Sequence, residues 1–203
     1  MAKKPQLIHA EAFDLKNGKF DPFGLARSIV EDFMIFESLA HRDLFENDKK
    51  TAKLYLFGLY LLEEALLDVI PEFELGLLKD KPNLPDATKN LTPKQKKAVE
   101  SARAQIRDKE AFDTKHAAFN FHWAVLNLAN DYVSFLIYLT PELAKDEGLL
   151  TRMTMQGLMA VYKALEITIS DFQKIPLFAG NPPQRGDIDV RLLVGGPSQR
   201  GRT

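Results

Sequence analysis

Apolar residues recur every three or four positions along most of this chain, which is the spacing of amphipathic helices. The first stripe follows Asp21 and Pro22, a capping residue with proline at the first helical position, and predicts a helix that runs to about Glu46. The stripe consists of Leu25, Ile29, Phe33, Phe36, Ala40 and Leu44.

A second helix is predicted over residues 49–70. Pro71 should end it, because the residue before a proline is disfavoured in the α conformation. Residues 54–62 are apolar on nearly every side, which places this helix at the centre of the protein. Residues 79–91 are punctuated by prolines and are predicted to form a loop.

A third helix begins at a capping box made of Thr92, Pro93 and Gln95, in which the threonine and glutamine side chains satisfy free N–H groups. Its apolar edge is thin and consists of Ala98, Val99, Ala102 and Ile106. Basic residues outnumber acidic ones on the rest of the helix, so a peripheral position is expected.

The fourth predicted helix, residues 114–139, has the most distinctive pattern: between His116 and Pro141 it carries one formal charge, Asp131. It is expected beside the second helix at the centre. A fifth helix is predicted over residues 147–174. Its buried face consists of Leu150, Met153, Leu158, Val161, Leu165, Ile169 and Phe172.

The two ends of the chain lack this period. Residues 1–20 turn at Asn17 and Gly18, which predicts a short hairpin or an extended arm. Residues 176–203 are rich in proline and glycine and predict a second arm. The chain is therefore interpreted as an all-α bundle of about five helices, residues 21–175, with extended N-terminal and C-terminal arms.

Composition removes several classes of function. The 203 residues contain no cysteine, which excludes disulfides, thiol nucleophiles and cysteine-ligated metals. The net charge of −1 argues against coating of nucleic acid by bulk charge. No signal peptide is recognised at the N-terminus, and residues 117–139 hold too many polar groups for a membrane span. A cytoplasmic location, or one within an assembled particle, is expected.

The third helix carries the best candidate surface for an anionic partner. Its bases and a nearby lysine are positioned to follow a phosphate backbone, but the acids interspersed among them and the lack of alternating aromatic residues favour a merely solvated face. The candidate nucleic-acid-binding residues are Lys94, Lys97, Arg103, Arg107 and Lys115.

A neutral polar stripe on the fourth helix is the candidate interface. A solvent-facing stripe usually carries lysine and glutamate, so this one should be covered, either inside the bundle or by another subunit. The candidate residues are His116, Asn120, Trp123, Asn127 and Asp131.

Helical bundles also hold metals between facing helices, so carboxylates and histidines were weighed as ligands. Glu37, His41, Glu63, His122 and Asp131 are the available groups, but they lack the repeated Glu-x-x-His pattern of di-iron bundles. No metal site and no cofactor is predicted.

One short segment resembles a known family. Residues 115–121, Lys-His-Ala-Ala-Phe-Asn-Phe, are similar to the K-x-A-A-F-D-F segment of flexuous filamentous plant-virus coat proteins, with Asn120 where that segment has aspartate. The similarity covers seven residues and assigns no site residue to this chain.

No catalytic signature appears in the sequence. The leading hypothesis is a non-catalytic structural subunit that self-assembles, as a homo-oligomer or filament, through its bundle and terminal arms. A coat or scaffold protein that binds nucleic acid and a helical bundle that binds a metal or cofactor are the alternatives.

Overall fold

The computed structural model of the chain describes residues 4–40, 45–74, 92–113 and 118–175. Within them the chain forms five α-helices: α1 (Pro22–Ala40), α2 (Asp48–Glu74), α3 (Pro93–Gln105), α4 (Phe121–Leu139) and α5 (Glu147–Gln173). The predicted all-α bundle is confirmed. The predicted loop at 79–91 and the predicted arm at 176–203 lie outside the described residues.

Four helices, α1, α2, α4 and α5, share one hydrophobic core. The second and fourth helices, predicted to be central, carry fully enclosed side chains such as Leu62 and Leu128, but so do α1 and α5. The third helix is peripheral, as expected, and packs on α1 through a smaller cluster. That cluster consists of Phe36, Val99, Ala102, Ile106 and Phe112.

Two glycines let helices approach closely. A β-carbon at Gly157 on α5 would lie 2.6 Å from the ring of Tyr132 on α4, and one at Gly58 on α2 would lie 2.8 Å from the ring of Phe33 on α1. Because real β-carbons do not come this near to other atoms, both positions require glycine for the observed packing.

Two predicted helix ends were wrong. The second helix continues through Pro71 to Glu74. Pro71 is exposed and near the helix end, so its missing N–H costs one internal hydrogen bond and its ring meets solvent instead of the core. The first helix is described as far as Ala40 and does not run to Glu46, because residues 45–47 are not α-helical. Asn47 starts the next helix by accepting a hydrogen bond from Lys50 N at 2.9 Å.

The start of the fourth helix was also wrong. It begins at Phe121 and not at residue 114, because Ala118–Phe119 pairs as a strand (β4) with Phe112–Asp113 (β3). The side chain of Asn120 then accepts a hydrogen bond from Trp123 N at 3.1 Å and caps the helix. The fifth helix, Glu147–Gln173, has nearly its predicted bounds.

Of the short hairpin and the extended arm expected as alternatives for residues 1–20, the described residues form the hairpin. Strands β1 (Phe13–Asp14) and β2 (Lys19–Phe20) pair antiparallel, and Gly18 has φ of +64°, a conformation that favours glycine. Asp14 Oδ1 accepts hydrogen bonds from Lys16 N and Asn17 N, both at 3.0 Å, which fixes the turn.

The described N-terminal residues, 4–20, pack against the helices. Phe13 lies 5.2 Å from Phe135 of α4 between ring centroids, and Phe20 lies 4.9 Å from Tyr132. Aromatic pairs at these distances stabilise a contact beyond their buried area. The N-terminal segment, residues 4–20, therefore belongs to the core of this chain.

Candidate functional site

Most of the buried polar side chains meet in one place, where the N-terminal segment, α1, the turn after α3 and α4 come together. Buried polar groups require hydrogen-bond partners, so such a concentration marks the site with the strongest constraints in the structure. The polar junction consists of His9, Glu11, Ser28, Asp32, Arg107, Asp108, Asn127 and Asp131.

The side-chain carboxylate of Asp131, on α4, binds backbone N–H groups of the N-terminal segment. Its Oδ1 accepts from Ile8 N at 3.0 Å, and its Oδ2 accepts from His9 N at 2.9 Å. Hydrogen bonds to a charged acceptor are stronger than neutral ones. Only 4% of Asp131 is exposed, so these donors replace the water that the carboxylate has lost.

His9 continues the junction toward α1. Its Nδ1 lies 2.9 Å from Ser28 Oγ, and Ser28 Oγ donates to Glu11 Oε1 at 2.8 Å. Because the single hydroxyl proton goes to Glu11, the hydroxyl oxygen must accept from His9, which fixes the Nδ1–H tautomer. The other nitrogen, Nε2, is buried and has no hydrogen-bond partner among the described residues.

Arg107, in the turn after α3, binds three carboxylates from two elements. Its Nε lies 2.9 Å from Glu11, its Nη2 lies 3.0 Å from Glu31, and its Nη1 lies 3.1 Å from Asp32. The five N–H groups of a guanidinium spread in a plane, which is what allows one side chain to reach all three. Arg107 thereby joins the N-terminal segment to α1.

Asp32 and Asp108 hold the turn that carries Arg107. Asp32 Oδ2 accepts from Arg107 N and Asp108 N, both at 3.0 Å. Asp108 Oδ1 in turn accepts from Ala111 N at 2.9 Å and from Asn127 Nδ2 of α4 at 2.8 Å. Both carboxylates are fully enclosed, and their partners are mostly backbone N–H groups that have no partner in a helix or sheet.

Burial governs the ionisation of the junction. It raises the pKa of Asp32, Asp108 and Asp131 above the usual aspartate range, while the backbone donors oppose that rise. Burial also lowers the pKa of His9 to about 4; Glu11 works against this change and Arg107 adds to it. His9 is therefore neutral at pH 7.

The chemistry open to this arrangement is limited by access. His9 is 0% exposed and Ser28 is 3% exposed, so the histidine and serine that resemble a nucleophile pair are enclosed. The Ser28 hydroxyl donates its proton to Glu11 and not to His9. In an activated serine the hydroxyl would donate to the histidine, which acts as the base. The geometry fits a structural connection between chain segments.

The structure separates the candidate nucleic-acid-binding residues into two groups. Lys94, Lys97 and Arg103 are exposed on α3. Arg107 belongs to the polar junction, where three carboxylates surround its charge. Lys115 lies outside the described residues.

The candidate interface residues have distinct positions. Asn127 and Asp131 are buried in the polar junction and bind groups of their own chain. Asn120 caps α4, and Trp123 is half-buried one turn later. His116 lies outside the described residues.

The weighed metal ligands are dispersed. In the part of the chain that the structure describes, no three histidine or acidic side chains are grouped to hold a metal ion. Glu37 is enclosed on α1, where burial raises its pKa to about 8, and His122 Nε2 lies 3.8 Å from Glu72 on α2. His41 lies outside the described residues.

Five members of the junction, His9, Glu11, Ser28, Asp32 and Asp108, were not predicted. Asp32 had a detectable signal, because on a wheel of about 100° per residue it lies only about 20° from Leu25, within the apolar stripe of α1. Asp108 had none, since it lies in a turn after a helix of polar character.

No protein-family model, curated protein or solved structure matches this chain. Its function is therefore inferred from its own residues. Among the described residues no helix is both long and apolar enough to cross a membrane.

The role of Arg107 can be tested by Arg107→Lys. A lysine ammonium cannot reach three carboxylates, so buried Asp32 loses a donor and the free energy of unfolding should fall by about 1–3 kcal/mol. Urea denaturation measures this change. Arg103→Lys, on the exposed side of α3, is the matched control and should change stability by less than about 0.5 kcal/mol. Equal effects of the two substitutions would contradict the assigned role.

Proposed function

We propose that this chain is a non-catalytic structural subunit that associates with copies of itself through the outer face of α5. The supporting observation is the composition of that face. Met159 is 40% exposed and Ile167 is 51% exposed, whereas outward positions of a helix are usually polar. The outward positions are Arg152, Gln156, Met159, Lys163, Ile167 and Ser170.

The two apolar residues are arranged for pairing with an identical helix. They are eight positions apart, about 12 Å along the axis, and lie within an arc of about 80°. Lys163 is midway between them, and its charge is paired with Glu166 at 2.6 Å. In an antiparallel pair of α5 helices centred on Lys163, each Met159 would oppose the Ile167 of the other copy, as a two-fold contact requires.

Leu67 is a further exposed apolar residue. It is 52% exposed on α2, the helix that packs most extensively on α5. Single exposed apolar residues are ordinary, but several on adjacent helices are typical of surfaces that bind another protein. The enclosed polar junction is consistent with this proposal, because its groups are used in holding the subunit together.

Self-association should be lost when the outer face of α5 becomes acidic. Replacing both Met159 and Ile167 by glutamate removes apolar contacts from each copy and brings like charges together. The dissociation constant should rise by at least about 100-fold, since each tenfold change corresponds to about 1.4 kcal/mol. Light scattering coupled to size-exclusion chromatography, over a range of concentrations, measures the mass.

Leu149→Glu is the control, because Leu149 is an exposed apolar residue on the same side of α5 but about 15 Å along the axis from Met159, so in the antiparallel pair it would lie beyond Gln173, the last residue of the other copy's α5. It should leave the mass of the assembly unchanged, and circular dichroism should show the same melting for all variants. A parent chain that remains monomeric at millimolar concentration would remove the proposal. An assembly that tolerates both glutamates would place the contact elsewhere.

A second candidate function, binding of nucleic acid, is favoured by the exposed bases of α3. The helix carries four basic residues and one acid, Glu100. No ion pair within the described residues joins Lys94, Lys97 or Arg103 to a carboxylate. Bases without such partners are free to neutralise phosphates and release their counterions.

This second candidate predicts a salt-dependent affinity that depends on three residues. Replacing Lys94, Lys97 and Arg103 by glutamine should weaken binding of a fluorescent single-stranded oligonucleotide and reduce the slope of log affinity against log salt by about 2. Fluorescence anisotropy measures both. The charge-matched control replaces Lys16, Lys19 and Lys145, which are exposed elsewhere. An equal loss in the control would mean that only net charge matters.

A further inference from the structure

We propose that the N-terminal segment is an acid-released clasp: protonation of the enclosed His9 ring detaches residues 4–20 from α1 and α4 while the helical bundle stays folded. This device is independent of the proposed self-association. It follows from how the segment is held and from what surrounds the His9 ring.

The clasp is separable from the helices that it covers. The N-terminal cap of α1 is Asp21, which is not part of the clasp: its Oδ1 accepts a hydrogen bond from Gly24 N at 2.9 Å. The start of α1 therefore does not depend on residues 4–20. The paired strands β1 and β2 belong wholly to the clasp and would move with it. The core formed by α1, α2, α4 and α5 is held by helix-to-helix packing of its own.

The polar attachment of the clasp consists of a few contacts, and His9 is at the centre of them. The carboxylate of Asp131 binds two successive N–H groups, Ser28 binds the His9 ring, and Arg107 binds Glu11. The apolar attachment is wider: the rings of Phe13 and Phe20 contact Phe135 and Tyr132, and Leu7, Ala12 and Leu15 also pack in the hydrophobic core. A change at His9 therefore acts on the polar part of the attachment.

The buried site around His9 accommodates the neutral imidazole but not the protonated one. Nδ1–H already donates to Ser28, and a proton added to Nε2 would create a buried donor that no described residue accepts. A buried donor without an acceptor costs free energy comparable to a lost hydrogen bond or more, and a buried charge costs further. Release of the clasp returns the ring to water, where the proton is tolerated.

The charged groups around His9 come from each neighbouring element. Glu11 of the clasp favours the protonated ring, and Arg107 in the turn after α3 disfavours it. Asp131 of α4 lies at the His9 backbone, while α1 presents the neutral hydroxyl of Ser28 and, one turn later, Asp32 bound by Arg107. The single acid near the ring does not offset its burial.

The direction of the pH effect follows from the His9 pKa, which burial lowers from 6.5 to about 4. A lowered histidine pKa means that the released clasp binds the proton more readily than the attached one. Attachment is therefore complete above pH about 6.5 and weakens about tenfold per unit as the pH falls toward 4. Burial raises the pKa of Asp131, so protonation of Asp131 favours the attached clasp. This opposes the effect of His9 and reduces the total weakening of attachment at low pH.

Hydrogen exchange of the full-length chain tests the clasp. Protection of the Ile8 and His9 amides, corrected for intrinsic rates, should fall about ten- to thirtyfold between pH 7 and pH 5. Amides of α5 should keep their protection. The fall should steepen below about pH 6.5, and the slope of log protection against pH should approach but not exceed one near pH 5, which is the signature of one proton.

His9→Asn is the informative variant, because the asparagine amide can replace Nδ1–H as the donor to Ser28 but does not titrate. Its N-terminal protection should not fall between pH 7 and pH 5. His122→Asn makes the same chemical change at a half-exposed histidine of α4 and should behave as the parent chain does.

Two results would overturn the proposal. One is N-terminal protection in the parent chain that does not change between pH 7 and pH 5, a test that requires no variant to fold. The other is an equal fall in His9→Asn and in the parent chain, which would assign the acid effect to the carboxylates of the junction.

Discussion

Buried carboxylates must be given donors, and this requirement organises the parts of the chain that helix packing leaves unconstrained. Asp131 binds the backbone of the N-terminal segment, Asp32 binds the turn after α3, and Asp108 connects that turn to α4. Each accepts backbone N–H groups that no helix or sheet would otherwise satisfy. The four-helix core sets the shape, and these three aspartates determine where the segments outside it lie.

The same arrangement separates the inside of the subunit from its candidate contact surfaces. The histidine, the serine and the carboxylates of the junction bind one another and the backbone, and most of them are enclosed. What faces outward is of a different kind: Met159 and Ile167 on α5 and the lysines of α3. The proposed partners would therefore bind these outer faces and not the polar junction.

Periodicity predicted the helices, because α1, α4 and α5 each bury a regularly spaced stripe of residues on one side of the helix. It did not predict their ends, where a single side chain such as Asn120 or a proline near a helix end decides the outcome. The polar junction was only partly predictable. Asn127 and Asp131 were identified as covered residues from their place on a charge-poor helix, whereas Asp108 and His9 lie in irregular segments whose contacts are distant in sequence.

The central claim is that the N-terminal segment is part of the core, with His9 enclosed between Ser28 and Asp131. Nitrogen-15 NMR of the His9 imidazole tests this most directly. At pH 7 the account predicts a neutral ring with the proton on Nδ1, slow proton exchange, and no titration until the pH is well below 6. A ring that averages between tautomers and titrates near the ordinary histidine pKa of about 6.5 would show His9 in water and contradict the account.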